Sequence, residues 1–225
     1  LLLTRGVQVS YDKVQVLFGV DIDVAAGEIV ALLGTNGAGK STLLKAISGV
    51  TEADRGAIVL DGRDITHAPP NEIAALGIAQ LPGGHAIFPG LTVRENIEAS
   101  QWLTKQEKQS GTPEAKESLQ LFPEILERWN EPAANLSGGQ QQMLGLAMAL
   151  HTAPKVLMID ELSLGLAPAV VERILPVIKQ IAANGTAVII VEQSVNLALT
   201  IAERAYFMEK GKIRFSGATK DLLER

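Results

Sequence analysis

A loop of nine residues, Gly34-Thr-Asn-Gly-Ala-Gly-Lys-Ser-Thr42, limits what this chain can fold into more than any other stretch. It has the spacing G-x-x-x-x-G-K-S. It follows the apolar run at 29–33 and leads into Leu43-Leu-Lys-Ala-Ile47. Strand, glycine loop and helix is the context in which this pattern cradles phosphate. Backbone N–H groups of Thr35, Asn36, Ala38 and their neighbours can converge on an anion where Gly34, Gly37 and Gly39 bring no Cβ between. The helix that starts near Gly39 adds the positive end of its dipole. Lys40 offers a mobile cation to the β and γ phosphates, Ser41 offers a hydroxyl to a magnesium ion, and Thr42 closes the motif. The reading is a nucleoside-triphosphate site in an α/β domain.

The rest of the chain divides around that loop. Residues 5–24 alternate weakly (Val7, Val9, Tyr11, then Val14 to Val24) and fit short antiparallel strands. The helix after the loop ends near Gly49, and 57–60 is a strand closed by a tight turn at Asp61-Gly62. A short helix is expected over 71–76, capped by Asn71 and ended by Gly77, and then a strand over 78–81. From 83 to 150 no strand is expected. Thr92 and Glu95 form a capping box, 104–118 is a polar surface connection, 114–128 is helical with an interruption at Pro123, and 141–150 is an apolar helix. The α/β pattern resumes with runs at 156–159 and 187–191, apolar on both faces as in a covered parallel sheet. A helix with Pro168 at its first position follows the first run. A helix at 195–202, strands at 204–208 and 212–215, and a short helix from about 218 follow the second. The expected fold is a P-loop NTPase core sheet with an antiparallel β subdomain, built from 1–82 and 151–225. A helical subdomain, 83–150, is inserted between them.

Composition narrows the partners. Across 225 residues the net charge is −5, so no general basic face is forced and nucleic acid is not the expected partner. There is no cysteine, which excludes disulfides and thiol chemistry. His67, His85 and His151 are scattered without metal-ligand spacing and read as surface or boundary residues. No apolar run reaches the length of a membrane span, and the opening Leu-Leu-Leu is too short for a signal peptide. The first residue is not Met, which fits a segment of a longer polypeptide. Mean hydropathy is +0.19, high enough to suggest apolar surface covered by a partner.

Two more constellations carry chemistry. The apolar strand at 156–159 ends in Asp160-Glu161, at the edge where open α/β sheets hold ligands. The first acid suits Mg²⁺ and the second suits a general base acting on water. Leu136-Ser-Gly-Gly-Gln140 stands at a helix N-terminus, either as a second phosphate device or as an ordinary cap with Ser137 as N-cap. One triphosphate rarely needs two anion sites in one chain, unless a second copy supplies the other half.

These three motifs in this order resemble the ATP-binding subunit of ABC transporters, and the resemblance spans nearly the whole chain. It implies the ABC ATPase type of fold and a dimer, of like or unlike subunits, around two ATP and Mg²⁺. It implies a membrane-spanning permease as partner, a place at the cytoplasmic face of a membrane, and ATP hydrolysis that drives transport. It also implies roles. Tyr11 matches the aromatic that stacks on adenine, with a plain strand-face aromatic as the alternative. Ser137, Gly138, Gly139 and Gln140 match the loop that meets the opposite γ-phosphate. Asp160 matches the metal-linked acid, Glu161 the catalytic base and Gln193 the switch position. Ser-Leu-Gly-Leu-Ala-Pro at 163–168, Val-Glu-Gln at 191–193 and the run from Ile87 to Val93 are similar to importers of branched-chain amino acids and related solutes. The rival readings are an exporter motor for lipid or polysaccharide and an ABC ATPase outside transport. Four departures stand out. Gly83 takes the place of a family Gln or Glu, with Gln80 three residues earlier. Leu162 replaces a usual Pro, Met148 replaces a usual Arg, and the family tends to run some residues beyond Arg225.

Overall fold

The computed structural model describes residues 1–84, 86–102 and 120–224. In chain order the elements are β1 (Leu2–Tyr11), β2 (Val14–Val24), β3 (Ile29–Leu33), α1 (Lys40–Ile47), β4 (Arg55–Leu60), β5 (Arg63–Asp64), α2 (Pro70–Ala75) and β6 (Ile78–Leu81). Then come α3 (Val93–Trp102), α4 (Pro123–Leu126), α5 (Gly138–His151), β7 (Val156–Asp160), α6 (Pro168–Ala183), β8 (Ala187–Glu192), α7 (Val195–Ile201), β9 (Arg204–Glu209) and β10 (Lys212–Ala218). Short 3-10 turns cover Ala133–Asn135 and Thr219–Glu224. The expected polar connection at 104–118, the start of the 114–128 helix and His85 lie outside the described residues.

Two sheets form. One is antiparallel, in the order β2-β1-β4-β5, and the other runs β10-β9-β3-β8-β7-β6. In the larger sheet β9, β3, β8, β7 and β6 are parallel, and β10 returns antiparallel to β9. The central strands are apolar throughout 29–33, 156–159 and 187–191 because both their faces are covered. Val30 and Leu32 of β3, Met158 of β7, and Ile189 and Val191 of β8 face a layer shared with α1 and the antiparallel sheet. Ala31 and Leu33, Leu157 and Ile159, and Val188 and Ile190 face the other layer, shared with α3, α5 and α6. A helix as short as α1 is marginal alone. Its Leu43, Leu44 and Ile47 are fully buried, and each such side chain contributes roughly 1.5–3 kcal/mol, so packing rather than propensity holds it.

The two sheets are also tied by a polar cluster. Arg204, opening β9, donates from Nε to Glu28 Oε1 (2.7 Å), from Nη2 to the Asp23 carbonyl (2.6 Å) and from Nη1 to Tyr206 Oη (2.7 Å). Burial raises the pKa of the Tyr206 phenol. Burial alone would raise that of Glu28, but the hydrogen bond and charge of Arg204 prevail and lower it.

One local expectation changes. Asn71 does not cap α2. Pro69 is the N-cap residue, Pro70 stands at the first position and Asn71 lies inside the helix. Proline at that position sacrifices no hydrogen bond and comes with helical φ, so it wins over an Asn cap one residue on. The interruption expected at Pro123 is present: Gln120 is helical, the chain leaves the helix at 121–122, and Pro123 begins α4 at its first turn. The capping box at α3 is present: Thr92 N donates to Glu95 Oε2 (2.8 Å), and Glu95 N donates to Thr92 Oγ1 (3.2 Å).

Candidate functional site

The phosphate loop leaves the end of β3 and turns into α1. Gly34 has φ of 153°, and a Cβ there would lie 2.3 Å from the Met208 carbonyl oxygen, so only glycine lets the loop pass beside β9. Gly39, at φ of 106°, precedes α1 and provides no side-chain cap. No acidic residue stands in the first turn of α1. Its leading N–H groups and dipole therefore face an opening suited to an anion. Lys40 is 5% exposed and folds back over the loop, donating to the Gly34 carbonyl (2.7 Å) and the Thr35 carbonyl (3.0 Å). Burial pushes its pKa down, against the pull of Glu161, Asp160 and Glu192. Thr35, Asn36, Gly37 and Ser41 are exposed, Thr42 is half-buried, and Ala38 is packed inside.

The acids come from the neighbouring strand ends. β7 ends at Asp160, whose Oδ1 is buried without a hydrogen-bond partner. Burial raises the Asp160 pKa, while a hydrogen bond from Ser41 works the other way. A buried carboxylate oxygen lacking a donor, beside a hydroxyl, is the donor set a hard divalent cation takes. Ser41 and Asp160 therefore fit Mg²⁺. Glu161 has φ of 52°, in the left-handed region that few non-glycine residues adopt. This turns the chain sharply off the strand, and Glu161 Oε1 accepts from Gln193 Nε2 at 3.1 Å. The structure thus brings Lys40, Ser41, Asp160, Glu161 and Gln193 to one end of the sheet.

One residue escaped the sequence reading. Glu192, the last of β8, is 3% exposed and holds the turn after Glu161. Its carboxylate accepts from Ser163 N (2.9 Å), Ser163 Oγ (3.0 Å) and Gln193 N (3.3 Å). A charged residue ending a run otherwise apolar on both faces was the available signal.

Ser137, Gly138, Gly139 and Gln140 lie elsewhere. Ser137 is the N-cap of α5, with Ser137 N donating to Gln140 Oε1 (3.0 Å) and Gln140 N donating to Ser137 Oγ (3.4 Å). Ser137 thus caps its helix, and the first helical residue, Gly138, remains exposed. Gly139 is buried against α6, where a Cβ would lie 2.7 Å from a Val170 methyl. α5 packs in the layer on the far side of the core sheet from α1. The two glycine loops of one chain are thus carried on opposite faces. Tyr11 ends β1, 40% exposed, with its hydroxyl 3.2 Å from Thr51 Oγ1. Its ring is therefore not part of the core.

At the departures, Leu162 is fully buried and Met148 nearly so. A Cβ on Gly83 would lie 3.1 Å from the Asp160 carbonyl oxygen, 3.5 Å from Glu161 Cβ and 3.7 Å from Glu161 Oε2. A side chain at 83 would grow beside the acid pair, whereas Gln80 sits within β6, paired with Met158. Gly83→Gln adds a polar group next to Glu161 at the expense of a small shift of the strand end. Phosphate release is expected to rise severalfold in that variant. A fall would mean that the end of β7 cannot yield to the new side chain.

Comparisons with known proteins agree with this geometry. Residues 17–163 match the family model described as ABC transporter. The chain is 42% identical to the high-affinity branched-chain amino acid transport ATP-binding protein BraG of Pseudomonas aeruginosa, over 92% of this chain and 88% of that protein. It is 37% identical to the probable branched-chain amino acid transport ATP-binding protein LivF of Archaeoglobus fulgidus, over 100% of this chain and 94% of that one. It is also 33% identical to the lipopolysaccharide export system ATP-binding protein LptB of Acidithiobacillus ferridurans, over 100% and 92%. Among solved structures, a nucleotide-free ATP-binding cassette from an ABC transporter superposes with a TM-score of 0.87 at 26% identity, covering 100% of this chain and 95% of that one. By sequence, by fold and by the site at the end of its core sheet, the chain belongs to the ABC transporter family, as one of its ATP-hydrolysing subunits.

Proposed function

We propose that two such subunits, alike or unlike, close around two Mg-ATP, and that the cycle of closing and hydrolysis drives import of amino acids or similar small solutes through a membrane-spanning partner. The observation that carries the closed pair is the placement of α1 and α5 on opposite faces of the core sheet. A phosphate loop and a Ser137 loop on opposite faces do not meet on one nucleotide, but each can meet its counterpart in a second copy. In this reading Gly34 to Thr42 hold the phosphates, Tyr11 stacks on adenine, and Ser137 to Gln140 contact the γ-phosphate bound by the other subunit. Ser41 and Asp160 hold Mg²⁺, which supplies charge neutralisation at the phosphates. Glu161 accepts a proton from the attacking water and Gln193 orients Glu161. We assign 1–82 and 151–225 to the nucleotide-binding body and 83–150 to the helical arm that meets the membrane partner. Exposed Phe88 and Leu91 lie on that arm and give it apolar surface to cover.

Among the described residues no helix is long and apolar enough to cross a membrane. We place the chain peripherally, at the cytoplasmic face of a membrane, against its membrane-spanning partners. The solute class rests on the names carried by BraG and LivF, and nucleic acid has no part in the reading. The similarity to LptB supports a second reading, an exporter motor for lipid or polysaccharide. Uptake of radiolabelled leucine by cells in which this chain is the sole ATPase of its system tests the first. ATP-dependent uptake that disappears when the phosphate-loop lysine is replaced is the expected result. Unchanged uptake in that variant would leave the exporter reading in its place.

A further inference from the structure

We infer that Glu192 is a positioning residue for hydrolysis, holding Glu161 and the turn that follows it in one fixed relation. The inference rests on the reading of Glu161 as the base. Glu161 leaves β7 in a left-handed conformation, so the strand ladder does not itself fix where its carboxylate points. Two contacts do. Gln193 Nε2 donates to Glu161 Oε1, and Glu161 N donates to the Val191 carbonyl (3.0 Å). Both reach back to the end of β8, where Glu192 sits between Val191 and Gln193. Glu192 then closes the circuit. One oxygen takes the Ser163 N–H, and the other takes the Ser163 hydroxyl and the Gln193 N–H. The chain from Glu161 to Ser163 is thereby pinned at both ends to one strand terminus. A carboxylate suits this place because it accepts only, and three donors converge on it. Burial keeps water from competing for those donors, so the carboxylate's bonds to them are strong. Beyond Ser163 the turn carries Leu164, 62% exposed. Leu164 N also donates to the Glu161 carbonyl (3.2 Å), so a displacement felt at that exposed residue would reach Glu161 directly as well as through Ser163 and the Glu192 carboxylate.

Misplacing a reacting group by about 1 Å can cost about 10²-fold in rate. Glu192→Ala in the full chain is therefore expected to lower kcat by about 10²-fold, with KM and the calorimetric Kd for Mg-ATP nearly unchanged. Ser163→Ala should show a smaller fall of the same kind. Adding it to Glu192→Ala should cost nothing more, because the serine hydroxyl has already lost its partner. Glu192→Gln is the companion variant should the alanine variant not fold. It keeps the volume and can keep both Ser163 bonds, but it sets an amide NH₂ against the Gln193 N–H, and kcat alone should again fall. Wild-type kcat in a folded Glu192→Gln, or additive effects of the two alanine variants, would overturn the inference. So would parallel losses of kcat, affinity and thermal stability, which mark a merely structural role. Glu161→Gln measured alongside separates the two readings. If it hydrolyses normally, the base assignment falls and this inference with it. If it is inactive while Glu192→Gln is normal, only this inference falls.

Discussion

Glu161→Gln is expected to lower ATP hydrolysis by about 10²–10⁴-fold while ATP binding survives. The substitution preserves shape, and the amide oxygen can still accept from Gln193 Nε2, so the local network stays intact. What it removes is a group able to take a proton from water. The left-handed backbone at this position is shared by both side chains, so no new strain enters. With ATP the variant should accumulate as a closed pair, since the bound nucleotide is no longer discharged. Phosphate release at the wild-type rate would end the assignment of Glu161 as base. Light scattering that shows only single subunits at saturating ATP, in the assembled transporter preparation, would count against the closed pair.

Lys40→Ala is expected to abolish useful ATP binding. The ammonium is a charged donor whose contact to a phosphate is worth about 1.5–3 kcal/mol. That alone is roughly 10–10²-fold in Kd. The structure adds to the loss. Without Lys40 the carbonyls of Gly34 and Thr35 lose their donor, and Asp160, Glu161 and Glu192 lose the cation that faces them. An anionic ligand would then approach the acid pair Asp160 and Glu161 without the lysine's positive charge. Calorimetry with Mg-ATP checks this, and unchanged affinity would refute the phosphate-loop assignment.

Much of this was legible in the sequence because the signals are local. The loop from Gly34 to Thr42 needs its residues in order, and so does the pair Asp160-Glu161. The strands through 156–159 and 187–191 announce themselves by being apolar on both faces, and the structure covers both. What was hidden depends on distant residues. Glu192 reads only as a neighbour of Gln193 until the turn at Ser163 is folded against it. The left-handed φ of Glu161 cannot be inferred from a residue type that rarely adopts it. The packing of Gly139 against Val170 joins two helices whose approach no pattern within α5 specifies. The Asn71 cap failed for a local reason, since two prolines just before it offered a better start.

The sheet order also governs when the phosphate loop can exist during synthesis. β3 ends in that loop at Leu33, yet both its ladder partners, β8 and β9, are translated only from Ala187 onward. The wall that forces Gly34 into its conformation is the Met208 carbonyl, which emerges later still. Pairings this distant in sequence form late and slowly, because a long loop must close before they return anything. A nascent chain therefore carries an apolar, unpaired β3 until those strands emerge, a state open to aggregation and to chaperones. A fragment ending before Ala187 would contain every letter of the loop and none of its shape.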